Sequence, residues 1–269
     1  MTFASYEQSN HDGAPVSFYH FRWGQTVWTY CNAPASITLD GLEYTPIAAA
    51  ESALRLDGDA PEFTLTVPVT LPVVDLFRGS PPSNKVWLTI RTMHPDDPDG
   101  EAKYRWQGPI ANVKPAGASA EIVSRINGLR NGGLRLTYGR GCRFALFGPG
   151  CNVVKSLYAT ARTITAVDGN AITFDADTPS DGYFNGGLLE WDADGLGTIE
   201  SRTIERETAT DTVRLYGRGD GLTVGQAVTL YPGCAHNADH CETKFDNLAN
   251  YPGRDFMLGR TPFEGRALL

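Results

Sequence analysis

The sequence predicts a mainly β protein, and three of its features support that fold class. Glycine and proline are frequent, at 29 and 17 of 269 residues, and aromatic residues make up 10% of the chain. Such a composition favours short strands and tight turns over long helices. Apolar and polar residues alternate in several segments, as they do in half-buried strands. Asp-Gly steps stand between such segments, where hairpin turns need them.

The N-terminal part, residues 1–130, is predicted to form one β domain. Asp40-Gly41 divides the segment 36–47 into two short strands. Gly24 marks a tight turn between the predicted strands 16–23 and 25–31. One short helix is predicted within 71–82, before paired prolines. The other predicted strands lie at 16–23, 25–31, 62–69, 85–93, 103–113 and 120–126.

Residues 161–231 are predicted to form a second, small β domain. Five or six short strands with few helix signals are typical of a small barrel or sandwich. One pair of cysteines lies just before this segment and another just after it. The barrel-like domain is therefore predicted to be inserted in a cysteine-bearing subdomain with little regular structure, formed by 131–160 and 232–269.

Composition and charge limit the functional classes. The chain is 41% hydrophobic, so it can bury a core, and its formal net charge is -8 with no run of Lys or Arg. We expect no specific nucleic-acid partner. The N-terminus lacks the basic and apolar regions of a signal peptide, and no window approaches the ~20 apolar residues of a membrane span. We expect that the chain does not insert stably into a membrane. We also expect that it folds in a reducing cytoplasm.

Four of the five cysteines form two widely separated pairs. "GCRFALFGPGC" contains Cys142 and Cys151, and "GCAHNADHC" contains Cys234 and Cys241. The odd total, without a secretory signal, argues against a disulfide framework. Cys31 lies in a predicted strand and is expected to be an ordinary core thiol.

The spacing of the pairs, Cys-x8-Cys and Cys-x6-Cys, leaves two interpretations open. The gaps are wider than those of zinc knuckles, and the tight cysteine run of ferredoxins is absent. Four thiolates from two loops can nevertheless surround a [4Fe–4S] cluster. From spacing alone, four buried and reduced cysteines are an equal alternative. Phe144, Leu146, Phe147 and Phe245 are candidates for a hydrophobic wall around the thiols.

His236 and His240 stand between the last two cysteines. Either imidazole could replace a thiolate in a zinc or Rieske-like site. We prefer to interpret both as polar loop residues that shape the turn, because four cysteines already complete a site. No spacing of Ser, His and Asp picks out a catalytic triad, and no catalytic residue is assigned.

The segments "CRFALFGPGCNV" and "YPGCAHNADHCETKFDNLANYPGRDFM" resemble the tail-tip proteins of siphophages, of the lambda tail-tip protein L type, which also occur in gene transfer agents. The most specific part is an ending of the form C…H…C…KFxNLxNYxG. It is matched by Cys234, His236, Cys241, Lys244, Phe245, Asn247, Leu248, Asn250, Tyr251 and Gly253. The resemblance implies an N-terminal β hub domain and a C-terminal iron–sulfur cysteine domain. It implies that Cys142, Cys151, Cys234 and Cys241 hold a structural [4Fe–4S] cluster.

The resemblance also implies a role without catalysis. Proteins of this type form a trimeric ring at the tip of a long non-contractile tail. The ring lies between the distal tail protein and the central fibre or host-recognition protein, with the tape-measure protein in its lumen. The implied location is the tail tip of a virion, after synthesis and assembly in the host bacterial cytoplasm. The alternatives are the same role with zinc or no metal, and a tail-associated cell-wall hydrolase or redox protein.

Overall fold

The computed structural model describes residues 3–9, 13–52, 61–126, 139–179, 181–254 and 256. Strands dominate these ranges, which confirms the mainly β fold class. The chain divides into two compact units. The first consists of Met1–Asn131 with Asp192–Glu200, and the second consists of Gly132–Trp191 with Ser201–Leu269. No helix in the described ranges has the length and apolar character needed to cross a membrane.

The first unit contains a nine-stranded sheet with the order β3-β4-β2-β1-β7-β8-β9-β6-β5. Neighbouring strands are antiparallel except β2 and β4, which run parallel. Its strands are β1 Val16–Trp23, β2 Thr26–Cys31, β3 Ile37–Leu39, β4 Leu42–Pro46, β5 Ala50–Glu51, β6 Glu62–Pro68, β7 Trp87–Met93, β8 Lys103–Ala116 and β9 Ser119–Arg125. Two short helices accompany them, α1 Phe3–Gln8 and α2 Pro72–Asp75.

Both predicted hairpins are confirmed. Trp23 pairs with Thr26 across a turn in which Gly24 has a φ of 55°. Leu39 pairs with Leu42 across Asp40 and Gly41, whose φ angles are 51° and 78°. Two consecutive positive φ angles match the twist of the flanking strands, and Asp-Gly adopts them at little cost.

Alternation along the strands builds the cores of this unit. In β6, Phe63, Leu65 and Val67 are buried, while the residues between them are half-buried. A second, smaller core forms where Phe18 and Tyr44 meet edge to face at 5.0 Å between ring centroids. Cys31 is completely buried in that core, and its Sγ donates to the carbonyl of Tyr44 at 3.4 Å. It is a core thiol, as expected.

The second unit contains a closed barrel with the strand order β10-β11-β14-β13-β12-β15. Pairing of β15 with β10 closes it, which confirms the barrel alternative. The strands are β10 Thr160–Asp168, β11 Ala171–Phe174, β12 Leu188–Asp192, β13 Ile199–Ala209, β14 Thr212–Leu215 and β15 Ala227–Tyr231. The cysteine segments add α3 Ala238–Thr243 and two 3-10 helices, Lys155–Tyr158 and Leu248–Asn250.

The barrel begins at Thr160 and ends at Tyr231, close to the predicted limits 161–231. Both cysteine segments lie in the same compact unit as most of the barrel. The predicted N-terminal domain, 1–130, and the predicted cysteine subdomain, formed by 131–160 and 232–269, stay predictions. Residues 127–138, where the first predicted boundary falls, lie outside the described ranges.

Glu200 is a buried carboxylate of the first unit, only 3% exposed. It accepts hydrogen bonds from the backbone N–H groups of Ser83 at 2.6 Å and Asn84 at 3.2 Å. The indole N–H of Trp23 donates to the same side chain at 3.3 Å. Burying a carboxylate is tolerated only where such donors replace its hydration. The carboxylate in turn satisfies three donors that would otherwise lose their partner.

We expect Glu200→Ala to lower the free energy of unfolding by roughly 2–4 kcal/mol, because the buried Trp23 indole N–H and two partly buried backbone N–H groups lose their acceptor. Urea unfolding followed by tryptophan fluorescence measures this loss. Glu121→Ala is the matched control, since Glu121 is exposed and should change stability by less than about 0.5 kcal/mol. Equal losses for the two variants would show that the Glu200 hydrogen bonds contribute nothing specific.

Candidate functional site

The first cysteine pair lies on a loop shaped by tight turns. The N–H of Cys151 donates to the carbonyl of Gly148 at 3.2 Å, and Phe147 has a φ of 61°. Gly150 has a φ of 94°, and a Cβ there would lie 2.6 Å from the ring of Phe144. Glycine is therefore required at this position, where the backbone passes close to the aromatic ring.

The second pair lies on a turn and the helix that follows it. The side chain of Asn237 caps α3 by accepting the N–H of His240 at 2.9 Å. This cap fixes the start of the helix that carries Cys241. Cys241 is buried at 8% exposure, and Cys234, before the helix, is half-buried.

Two connections bring the pairs together. The N–H of Cys142 donates to the carbonyl of His236 at 2.7 Å, which joins the two cysteine loops. Asn247 makes the other connection. Its side-chain amide donates to the carbonyl of Cys151 at 2.6 Å, and its backbone N–H donates to the carbonyl of Cys241 at 2.8 Å. The Cys241 thiol donates back to the carbonyl of Asn247 at 3.2 Å.

An apolar cluster contains two of the four thiols, those of Cys151 and Cys234. Cys151, Val153 and Phe245 form its buried centre, and its partly buried members are Phe144, Leu146, Phe147, Tyr158 and Cys234. The ring of Phe147 contacts that of Phe245 at 6.3 Å, and Tyr158 meets Phe245 at 5.2 Å between centroids. All four residues predicted to form a hydrophobic wall are members of this cluster.

Two of the four thiols have a raised pKa. Burial raises the pKa of the Cys241 thiol, and the charges of Cys234, Cys142 and Cys151 raise it further. Burial is also the main cause that raises the pKa of Cys234, to which Cys142 and Cys151 add. All five cysteines are free thiols. Within the described ranges, no group of three or more His, Cys, Asp or Glu side chains is arranged to hold a single metal ion.

Lys244 is a cation beside Cys234. It belongs to the matched C-terminal motif, but no function was predicted for it from the sequence. Its ammonium donates to the carbonyls of Tyr183 at 2.6 Å and Gly233 at 2.9 Å, and it lies 4.5 Å from the Tyr183 ring centroid. Burial lowers the pKa of Lys244, against the opposing effects of Cys234 and Glu207. The lysine therefore braces the turn before α3 and offers a positive charge to Cys234.

The two histidines act within the turn. His236 has a φ of 57°, and its backbone N–H approaches the Cys234 sulfur at 3.3 Å. The Nδ1 atom of His240 accepts the N–H of Ala235 at 3.4 Å. These contacts agree with the interpretation of both residues as shaping the loop.

The donor set fits an iron–sulfur cluster. Four free thiols lie on two segments that hydrogen bonds join, two of these thiols belong to an apolar cluster, and a [4Fe–4S] cluster takes four thiolates. Cys142, Cys151, Cys234 and Cys241 would be its ligands. Bound there, the cluster would supply a crosslink between segments that are far apart in sequence, which restricts the unfolded chain.

Comparison with known proteins places the chain near phage-type proteins. Residues 182–260 match the family model "Phage conserved hypothetical protein BR0599", a region that includes Cys234 and Cys241. A chain of the solved structure "Virion of native gene transfer agent (GTA) particle" superposes with a TM-score of 0.74 at 17% identity. The match covers 98% of this chain and 97% of that one, so the two share their complete fold. No curated protein matches the chain.

Proposed function

We propose that this chain is a structural virion protein of a long non-contractile tail. The observation that carries the proposal is the likeness to a chain of a gene transfer agent particle over the full length of both proteins. A likeness of that extent includes the sheet, the barrel and the cysteine segments together. The family model across the second cysteine pair has a phage description, which supports the same role.

Within the virion, we place the protein at the tail tip as a trimeric hub ring. Its neighbours are the distal tail protein on one side and the central fibre or host-recognition protein on the other, with the tape-measure protein in the lumen. The resemblance of the cysteine motifs supports this position. A three-fold ring needs head-to-tail contacts that close on themselves. Free subunits can therefore be monomeric and form the closed ring only when they assemble on the tail. Synthesis and assembly take place in the host bacterial cytoplasm.

The cofactor we propose is a structural [4Fe–4S] cluster held by Cys142, Cys151, Cys234 and Cys241. Its support is that four free thiols lie on two segments joined by hydrogen bonds, with Cys151 and Cys234 in one apolar cluster. The inserted barrel, 161–231, separates the two cysteine pairs in sequence, so coordination ties the ends of that insertion together. The role is mechanical: the cluster fixes the loops between which the barrel is inserted.

Anaerobically purified protein is expected to be brown, with broad visible absorption, and to contain iron and acid-labile sulfide. Absorption spectroscopy together with iron, sulfide and zinc analysis of the full chain makes the measurement. Colourless protein that contains zinc, or no metal, would contradict the cluster while leaving the tail role in place. Degradation of cell wall in a zymogram would instead favour a tail-associated hydrolase.

A further inference from the structure

A groove crosses the outward face of the first unit's sheet and is not used by the cysteine site. It consists of two adjoining hollows that share Arg22 and Trp87 as walls. One hollow is lined by His20, Arg22, Trp87, Thr89 and Gln107, and the other by Arg22, Gly24, Gln25, Asn84, Lys85, Trp87, Gly197, Thr198 and Ile199. We call this feature the Trp87 groove.

The charged side chains that line the groove are cations, although the chain as a whole is acidic. Arg22 and Lys85 are exposed, and neither forms an ion pair within the described part of the chain. No described residue that lines the groove is a carboxylate. Burial lowers the pKa of His20, which also lines the groove, and the charges of Arg91 and Arg22 lower it further. In a chain of net charge -8, two unpaired cations at one place form a distinct local field.

Two carboxylates of this unit accept hydrogen bonds from groove residues. Asp194 accepts the hydroxyl protons of Thr26 at 2.9 Å and Thr198 at 2.6 Å. Glu200 is buried beneath the hydrogen bonds from Ser83 and Asn84. Neither carboxylate lines the groove, and among the described residues neither forms an ion pair with Arg22 or Lys85, so both cations can bind an outside anion.

The remaining lining groups suit a polypeptide. Trp87 is 36% exposed and Ile199 47% exposed, so both offer apolar surface to a partner. Gln25 and Gln107 are exposed amides that can both donate to and accept from a peptide backbone. Tryptophan and arginine are also the residues that dominate binding energy in protein interfaces.

We propose that the Trp87 groove binds an acidic segment of another protein, with its Asp or Glu side chains against Arg22 and Lys85 and an apolar side chain on Trp87. The inference goes beyond the proposed function and does not depend on the cluster. Nucleic acid is a poorer occupant, because two cations on a chain of net charge -8 neutralise few phosphates. The amide groups and the apolar walls instead match a peptide.

The test uses the full chain and a fluorescein-labelled peptide of alternating Glu and Leu, with binding followed by fluorescence anisotropy. We expect binding that weakens as sodium chloride is raised, since charge pairs at an exposed groove are screened. The double variant Arg22→Gln/Lys85→Gln and the variant Trp87→Ala should each lose roughly tenfold or more in affinity. The substituted side chains are exposed, so all variants should keep the circular dichroism spectrum of the parent.

Lys114→Gln is the matched control, because Lys114 is exposed on β8 and does not line the groove. It should bind the peptide as the parent does. The proposal is overturned if the Glu-Leu peptide binds no better than a Gln-Leu peptide, or if Lys114→Gln weakens binding as much as the double variant. It is also overturned if oligo-dT binds the groove more tightly, or if the groove variants change self-association in sedimentation, which would assign the groove to nucleic acid or to a second copy.

Discussion

Replacing any one of Cys142, Cys151, Cys234 or Cys241 by serine is expected to abolish the brown chromophore and most of the soluble yield. Each thiol is one of the four proposed ligands, and the fifth cysteine, Cys31, lies in a different core cluster and cannot take its place. Removing a ligand also removes the crosslink between the two segments, whose coordination free energy is part of the folding free energy. Visible absorption and iron content per chain measure the effect.

Cys31→Ser is the control for this set. Cys31 is completely buried in the small core with Phe18 and Tyr44, apart from the cysteine site. This variant should keep the full chromophore, with a stability loss of about 1 kcal/mol from placing a hydroxyl in that core. If Cys31→Ser bleached the protein as completely as Cys142→Ser, the assignment of the four ligands would be wrong.

Asn247→Ala is expected to accelerate loss of the chromophore in air by roughly tenfold and to lower stability by about 1–3 kcal/mol. The Asn247 side chain holds the carbonyl of Cys151 while its backbone holds both the carbonyl and the thiol of Cys241. Truncating the amide therefore removes one of the two hydrogen-bonded connections between the cysteine loops and leaves the bond from Cys142 to His236. The rate of bleaching and urea unfolding give the two readouts.

Asn250→Ala is the control variant for Asn247→Ala. Asn250 is exposed and donates a single side-chain hydrogen bond, to Oδ1 of Asn247 at 2.7 Å. Its loss should leave the bleaching rate nearly unchanged and cost less than about 1 kcal/mol. Comparable bleaching of the two variants would mean that Asn247 does not position the cysteine loops.

Much of the fold could be predicted because its signals are local. The Asp40-Gly41 turn and the turn at Gly24 are specified by residues that tolerate positive φ angles. Strands such as β6 reveal their inward face through strict alternation. The small β domain was recognisable from turn signals that repeat on a short period throughout 161–231.

The elements that the sequence did not predict depend on tertiary contacts. The six-residue helix α1 has too few residues to be stable alone, and it is held where Tyr6 stacks on His94 at 5.4 Å and Glu7 contacts the His94 ring at 3.0 Å. Residues Asp192–Glu200 look like an ordinary acidic hairpin turn in the sequence, yet they belong to the first compact unit. Their partners, including Ser83 and Trp23, are distant in sequence.

The cysteines of the candidate site could be predicted from the sequence, but the contacts that hold them could not. Two cysteine pairs can be recognised in the sequence, and the resemblance supplied their joint role. The structure adds the roles of Asn247, which joins the cysteine loops, and Lys244, which braces the turn beside Cys234. Both stand in the matched C-terminal motif, but their function follows from long-range contacts to Cys151 and Tyr183 that no local pattern encodes.

The most direct test of the account is an electron cryo-microscopy reconstruction of the tail tip of the particle that carries this chain. We predict three copies of the chain in a closed ring, between the distal tail protein and the central fibre, with density for a metal cluster between the two cysteine pairs of each copy. Six copies, a position elsewhere in the particle, or absence of the chain from the particle would contradict the proposed function.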